Sequence, residues 1–150
     1  MSIKEQLRLD LTEAIRSRDE LTSGTIRMVL SALTNEEVSG KEARVLTDDE
    51  VITVLSREAK KRREASEAFE TAGRADKAAL EKAEGEVIAK YLPAQLSIDD
   101  IKKLIADAVA STGAAGPADM GKVMGAVKPL IAGKADGSVV STLVKEALNK

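Results

Sequence analysis

With 150 residues, 43% of them hydrophobic and 32% charged, the chain can fill one domain or two small ones and is not a disordered polymer. A formal net charge of −2 carries no global nucleic-acid signature, and the absence of Cys and His removes disulfides, thiolate nucleophiles, Cys/His zinc sites and His-based triads. Phe69 and Tyr91 are the only aromatics, so the core has to be built from Leu, Ile, Val, Met and Ala, which suits closely spaced helices.

Taken in chain order, the periodicity predicts seven helices and no strand. The first covers about 3–18, with Ile3, Leu7, Leu11 and Ala14 on one face. Charges at Lys4 and Glu5 stand where a signal peptide would be apolar, and no apolar run nears the roughly 20 residues that span a bilayer. A cytoplasmic protein is expected. The second helix covers about 21–39, with Ile26, Val29, Leu30 and Leu33 as its stripe and Gly40 as its stop. A long third helix, 47–72, opens on Thr47-Asp48-Asp49-Glu50, a capping box followed by acids that favour the positive end of the helix dipole.

The stripe of that third helix, Val51, Leu55, Glu58, Arg62, Ala65 and Phe69, carries charges in its middle. Gly73 makes a turn, and a fourth helix over 75–91 follows, with Leu80, Ala83, Val87 and Tyr91 inward, Glu84 at the edge and Gly85 outward. Arg62 lies eleven residues before Gly73 and Glu84 eleven after it, which sets them at one height in an antiparallel hairpin. A partly buried Glu58–Arg62–Glu84 cluster between the two helices is therefore expected, fixing register more than adding stability.

Tyr91-Leu92-Pro93 closes this body at residue 92. Beyond it, a compact three-helix domain over 93–150 is predicted. Ser97-Ile98-Asp99-Asp100 opens its first helix, with Ile101, Leu104, Ile105 and Ala108 on one face. A loop over 111–117 leads to a second, carrying Met120, Val123, Met124, Val127 and Ile131, where Pro129 is expected to cause a bend. Asp136-Gly137 opens the last, with Val140, Leu143, Val144, Ala147 and Leu148 as core.

Few motifs carry chemistry. The basic run Arg57, Lys60, Lys61, Arg62, Arg63 interleaves with Glu58, Glu64, Glu67 and Glu70, and reads as a solvated, salt-bridged helix face. In the tail, Lys122, Lys128 and Lys134 have only Asp119 as a nearby acid and could meet phosphates. Gly121 and Gly125 are four apart and read first as tight helix–helix packing, with close approach of a partner backbone or phosphate as the alternative. No P-loop, base-stacking platform or credible active site is present. No cofactor or metal is implied.

The run Lys60, Arg62, Phe69, Gly73-Arg74, Asp76, Glu81, Glu84 and Tyr91-Leu92-Pro93-Ala94-Gln95-Leu96 resembles the GatB/YqeY family. So do Asp119-Met120-Gly121-Lys122-Val123-Met124, Gly133-Lys134-Ala135-Asp136-Gly137 and Val144-Lys145. Ala65 departs from the family's Ser, with Ser66 adjacent, and Gly85 departs from a helix-forming residue. The resemblance implies an all-α protein: an N-terminal antiparallel helical body and a C-terminal three-helix domain. A similar tail ends the GatB component of the tRNA-dependent aspartyl/glutamyl amidotransferase, where it is thought to grip tRNA.

That likeness implies a tRNA-binding or amidotransferase-associated protein, non-catalytic by itself. Its contacts would come from Gly121, Lys122, Gly125, Lys128 and Lys134, and its partners would be tRNA and amidotransferase or other translation components, with no membrane. The family label, a carbon–nitrogen ligase with glutamine as nitrogen donor, is one alternative. A helical protein–protein interaction module is the other.

Overall fold

The computed structural model describes residues 1–149. The fold is all-α. Its helices are α1 (Ile3–Arg16), α2 (Glu20–Glu37), α3 (Asp48–Thr71), α4 (Ala75–Ala89), α5 (Ile98–Thr112), α6 (Met120–Ile131) and α7 (Gly137–Leu148). A 3-10 turn over Pro117–Asp119 leads into α6, and no strand occurs among the described residues. The chain divides into two compact units, Met1–Leu92 and the residues from Pro93 onward.

Local chemistry starts most of these helices. Ser2 and Thr47 are the caps of full capping boxes, closed by Glu5 and Glu50. Asp19, Ser97 and Asp136 each accept a first-turn amide, at Thr22, Asp100 and Ser138. Such caps satisfy donors that the helix itself leaves orphaned. Gly73, at φ +76°, reverses the chain between α3 and α4, in a left-handed conformation that glycine adopts without strain.

In the first unit, Leu7, Ile26, Val29, Leu33, Val51, Leu55 and Ile88 are fully buried together. Polar clasps surround this core. The Ile3 amide donates to Asp48 Oδ1 at 3.1 Å, Lys4 pairs with Glu37, and Arg57 reaches Glu36 at 3.6 Å. Tyr91, just past the end of α4, donates its hydroxyl to Asp10 Oδ2 at 2.5 Å. Burial and that acidic partner push the phenol pKa up, so the hydroxyl stays a donor.

The inward face of α4 differs from the one the apolar spacing predicts. Leu80 is 53% exposed, and the buried residues are Ala78, Val87 and Ile88. Gly85 looks toward α3: a Cβ there would stand 3.6 Å from the Cβ of Arg62. The inward face runs through Ala78, Glu81, Gly85 and Ile88 and keeps Val87 and Tyr91 of the expected stripe, so it is turned away from Leu80. Small side chains at 78 and 85 let α4 lie close to α3, whereas a Leu80 pointing inward would hold the two apart.

The second unit has an aliphatic core of three matched rows. Ile101, Ile105 and Ala108 come from α5, Val123, Val127 and Ile131 from α6, and Val140, Val144 and Leu148 from α7. Its leading segment is pinned by Leu96 N–H to Lys134 O at 2.9 Å and by Gln95 Nε2 to Gly133 O at 2.9 Å. Pro129 sits two residues before the end of α6, so the donor it lacks is missing only from the last turn.

Candidate nucleic-acid interface

The side of α6 away from its buried row carries two glycines among exposed Lys122, Lys128, Pro129 and Leu130. Gly121, Gly125, Lys128 and Ala132 fall within a narrow arc of the helix, and all four are exposed. A Cβ built on Gly121 or Gly125 meets nothing within 4 Å. Tight packing against another helix of this unit, the first reading of that glycine pair, is therefore not what the structure shows. The space above them is open. Over about 6 Å of helix axis, between Gly121 and Gly125, only backbone faces outward at these positions.

Lysines flank this bare strip. Lys122, one residue round the helix from Gly121, is exposed and lies 3.5 Å from Asp119 Oδ1. An ion pair so open to water contributes little and is readily exchanged. Lys128 is in the last turn of α6, where a cation complements the helix dipole. Lys134 follows Gly133 in the turn beyond and is also exposed, its carbonyl held by the Leu96 amide. Among the described residues, neither Lys128 nor Lys134 is ion-paired.

Asp119 also organises the approach to α6. Its Oδ2 accepts the Ala115 amide at 2.9 Å, stapling the loop that precedes the 3-10 turn. That backbone bond, with a smaller contribution from Lys122, holds its carboxyl below the usual carboxylate range. From the sequence, Asp119 registers only as the acid near three lysines. Its capture of a loop amide four residues back needed the turn geometry.

The charged cluster of the first unit sits in the α3–α4 hairpin. Arg62 Nη1 lies 3.3 Å from Glu84 Oε2, and Arg62 Nε lies 3.4 Å from Glu81 Oε2. The second contact is ionic: Nε and Oε2 are both buried and neither makes a hydrogen bond. Met28 of α2 places its Sδ 3.2 Å from Arg62 Nη1. Glu58 is buried and receives Lys61 Nζ at 3.0 Å. Ser66 Oγ donates to Ala78 O at 2.9 Å across the hairpin, so the hydroxyl next to Ala65 has a structural partner.

Glu81 and Met28 join this cluster beyond the expected Glu58, Arg62 and Glu84. Glu81 is three residues before Glu84, on the same side of α4, and that spacing is the available signal. The remaining basic residues behave as a solvated face, with Lys60 3.9 Å from Glu64. Nothing in this cluster is arranged to bind a ligand: its polar atoms face one another.

Comparison with known proteins places this all-helical chain in a family. The chain belongs to the family described as Yqey-like protein, whose pattern it matches over residues 4–148. It is similar to "Altered inheritance of mitochondria protein 41, mitochondrial" of Clavispora lusitaniae, 31% identical over 91 residues, or 61% of this chain and 52% of that protein. It is also similar to "Uncharacterized protein C22F3.15" of Schizosaccharomyces pombe, 30% identical over 96 residues, or 64% of this chain and 76% of that one. The chain thus spans about half the length of the first relative. No helix among the described residues is long and apolar enough to cross a membrane.

Proposed function

We propose that this protein binds tRNA through the exposed face of α6, acting as a non-catalytic component associated with tRNA-dependent amidotransferase or other translation machinery. One observation carries the reading. Gly125, inside α6, forgoes about 1 kcal/mol of helix stability relative to alanine and Gly121, in its first turn, forgoes part of that, yet a Cβ at either would meet nothing within 4 Å. An exposed helix thinned in this way, with Lys122 and Lys128 beside it, has the shape and charge to let a phosphate backbone approach the helix itself. The resemblance of this unit to the tail of an amidotransferase component supports tRNA as the nucleic acid.

The test is filter binding of the full chain to tRNA at two salt concentrations, with Lys122, Lys128 and Lys134 intact or all changed to Gln. Binding that weakens with salt, and that weakens further in the triple variant, is the expected result. No affinity at low salt, or none lost on removing the three lysines, would overturn the proposal. Glutamine consumption by the purified protein in the presence of ATP and charged tRNA would instead favour the ligase reading.

A further inference from the structure

We infer that the Asp136–Gly137 bond is a site of spontaneous covalent change, in which the chain reroutes through the aspartate side chain at a rate set by opening of the α7 cap. The inference is independent of the tRNA reading. Asp136 is the only aspartate that a glycine follows, and neither asparagine precedes one. That pairing matters chemically. A backbone amide beside an aspartate can attack its carboxyl carbon, and a side chain on the attacking residue obstructs the approach. Glycine has none, and here Gly137 is exposed and a Cβ built on it meets nothing within 4 Å. Gly137 is also the first residue of α7, so its amide is among the four that gain no partner from the helix itself.

The reaction needs no reagent but water. Gly137 N forms a bond to Asp136 Cγ, the Cγ–OH bond breaks, and the amide proton leaves with that hydroxyl as water, closing a five-membered imide. Water then opens the ring. Attack at Cγ restores the aspartate. Attack at the α-carbonyl carbon leaves the chain joined through Cγ, with one methylene more in the backbone and the α-carboxylate free. One water is lost and one regained, so the mass is unchanged and nothing is oxidised.

In the folded chain both carbonyl groups of Asp136 are held. Its Oδ1 accepts the Ser138 amide at 2.9 Å and the Ser138 hydroxyl at 2.9 Å, and its backbone oxygen accepts the Val140 amide at 3.1 Å. The first two bonds tie the carboxyl to Ser138, so attack by Gly137 waits for the cap to open. A cap of this kind shifts a helix-end equilibrium by about 2- to 30-fold, which is a modest gate. The third bond is the first of the α7 ladder. Rerouting removes it from the backbone, because that carbonyl becomes the free carboxylate. Val140 and Val144, on the turns that follow, are fully buried in the core of the second unit. The change at 136 therefore loosens the helix that supplies one of that core's three rows.

The test is peptide mapping of the full chain held for weeks at neutral pH and body temperature, folded or in guanidinium chloride, with electron-transfer fragmentation placing the β-linkage. The folded protein should accumulate it at Asp136 before any other aspartate, about 2- to 30-fold more slowly than the unfolded chain. Ser138→Ala keeps the amide donor and removes the hydroxyl one, and should speed the folded reaction about 2- to 10-fold with no effect on the unfolded one. Gly137→Ala supplies the obstructing Cβ at a helical position with room for it, and should suppress the reaction in both states. The rerouted protein, separated by chromatography, should show faster hydrogen exchange at the α7 amides than the fresh protein. An unfolded chain that forms no β-linkage, a folded chain that forms none while the unfolded one does, equal rates in the two states, indifference to Ser138→Ala, or unchanged α7 exchange would each overturn the inference.

Discussion

Replacing Gly121 and Gly125 with alanine should make the protein more stable and a poorer partner for tRNA. Both positions are inside α6, and a Cβ at either has no neighbour within 4 Å, so the substitution adds a methyl group without a clash. Each change should then stabilise by about 0.5–1 kcal/mol, from the smaller entropy loss of alanine on entering a helix. Together they amount to roughly 1–2 kcal/mol, or about a 5- to 30-fold slower opening-limited exchange of the α6 amides. Native-state hydrogen exchange on the full chain reads this directly at α6. Gly24→Ala supplies the control: it too is an exposed helix glycine with nothing within 4 Å, but it lies on α2. It should stabilise by a similar amount with tRNA affinity unchanged. Faster exchange in the Gly121→Ala/Gly125→Ala protein would refute the reasoning, since it would mean the face is packed against something.

Three further outcomes follow from the hairpin and the caps. Gly85→Ala should stabilise by about 1 kcal/mol in urea denaturation, because its Cβ would sit at an ordinary 3.6 Å from that of Arg62, while Gly85→Leu should destabilise by displacing the arginine. Arg62→Met should destabilise by about 2 kcal/mol by leaving Glu81 and Glu84 facing each other part-buried, and adding Glu81→Gln and Glu84→Gln should recover part of that loss. The carboxyls of Glu5, Asp19, Glu50 and Asp119 are all held low, chiefly by the backbone amides of Ser2, Thr22, Thr47 and Ala115. Their stabilisation is complete above the unfolded carboxylate range near pH 4 and is lost as pH falls through the lower folded values, so those four amides should lose exchange protection on acidification. Protection that persists in full to pH 2 would contradict the capping account.

What the sequence discloses, and what it withholds, has a physical pattern. The Thr47–Glu50 box and the Gly73 turn are local, so the start of α3 and the shared height of Arg62 and Glu84 are readable from spacing. The Ser2–Glu5 box is local in the same way and opens α1. Apolar spacing misplaces the face of α4 because this helix is rich in alanine, and alanine does not distinguish inside from outside; the rotation is set by how closely α3 approaches. Glu81 comes in with that rotation. On α6 the aliphatic row Val123, Val127, Ile131 is plain, but whether Gly121 and Gly125 serve packing or openness depends on what stands opposite, which one strand of sequence does not contain.

The Tyr91 hydroxyl spans 81 residues of chain to reach Asp10. At about 5–20 residues per second, a ribosome needs roughly 4–16 s to make that span. During those seconds α1 exists without this clasp, and the α3–α4 hairpin is itself complete only at Ala89, two residues before Tyr91. A nascent chain stalled short of Tyr91 would hold α1 through its Glu37 and Asp48 contacts, without this last latch.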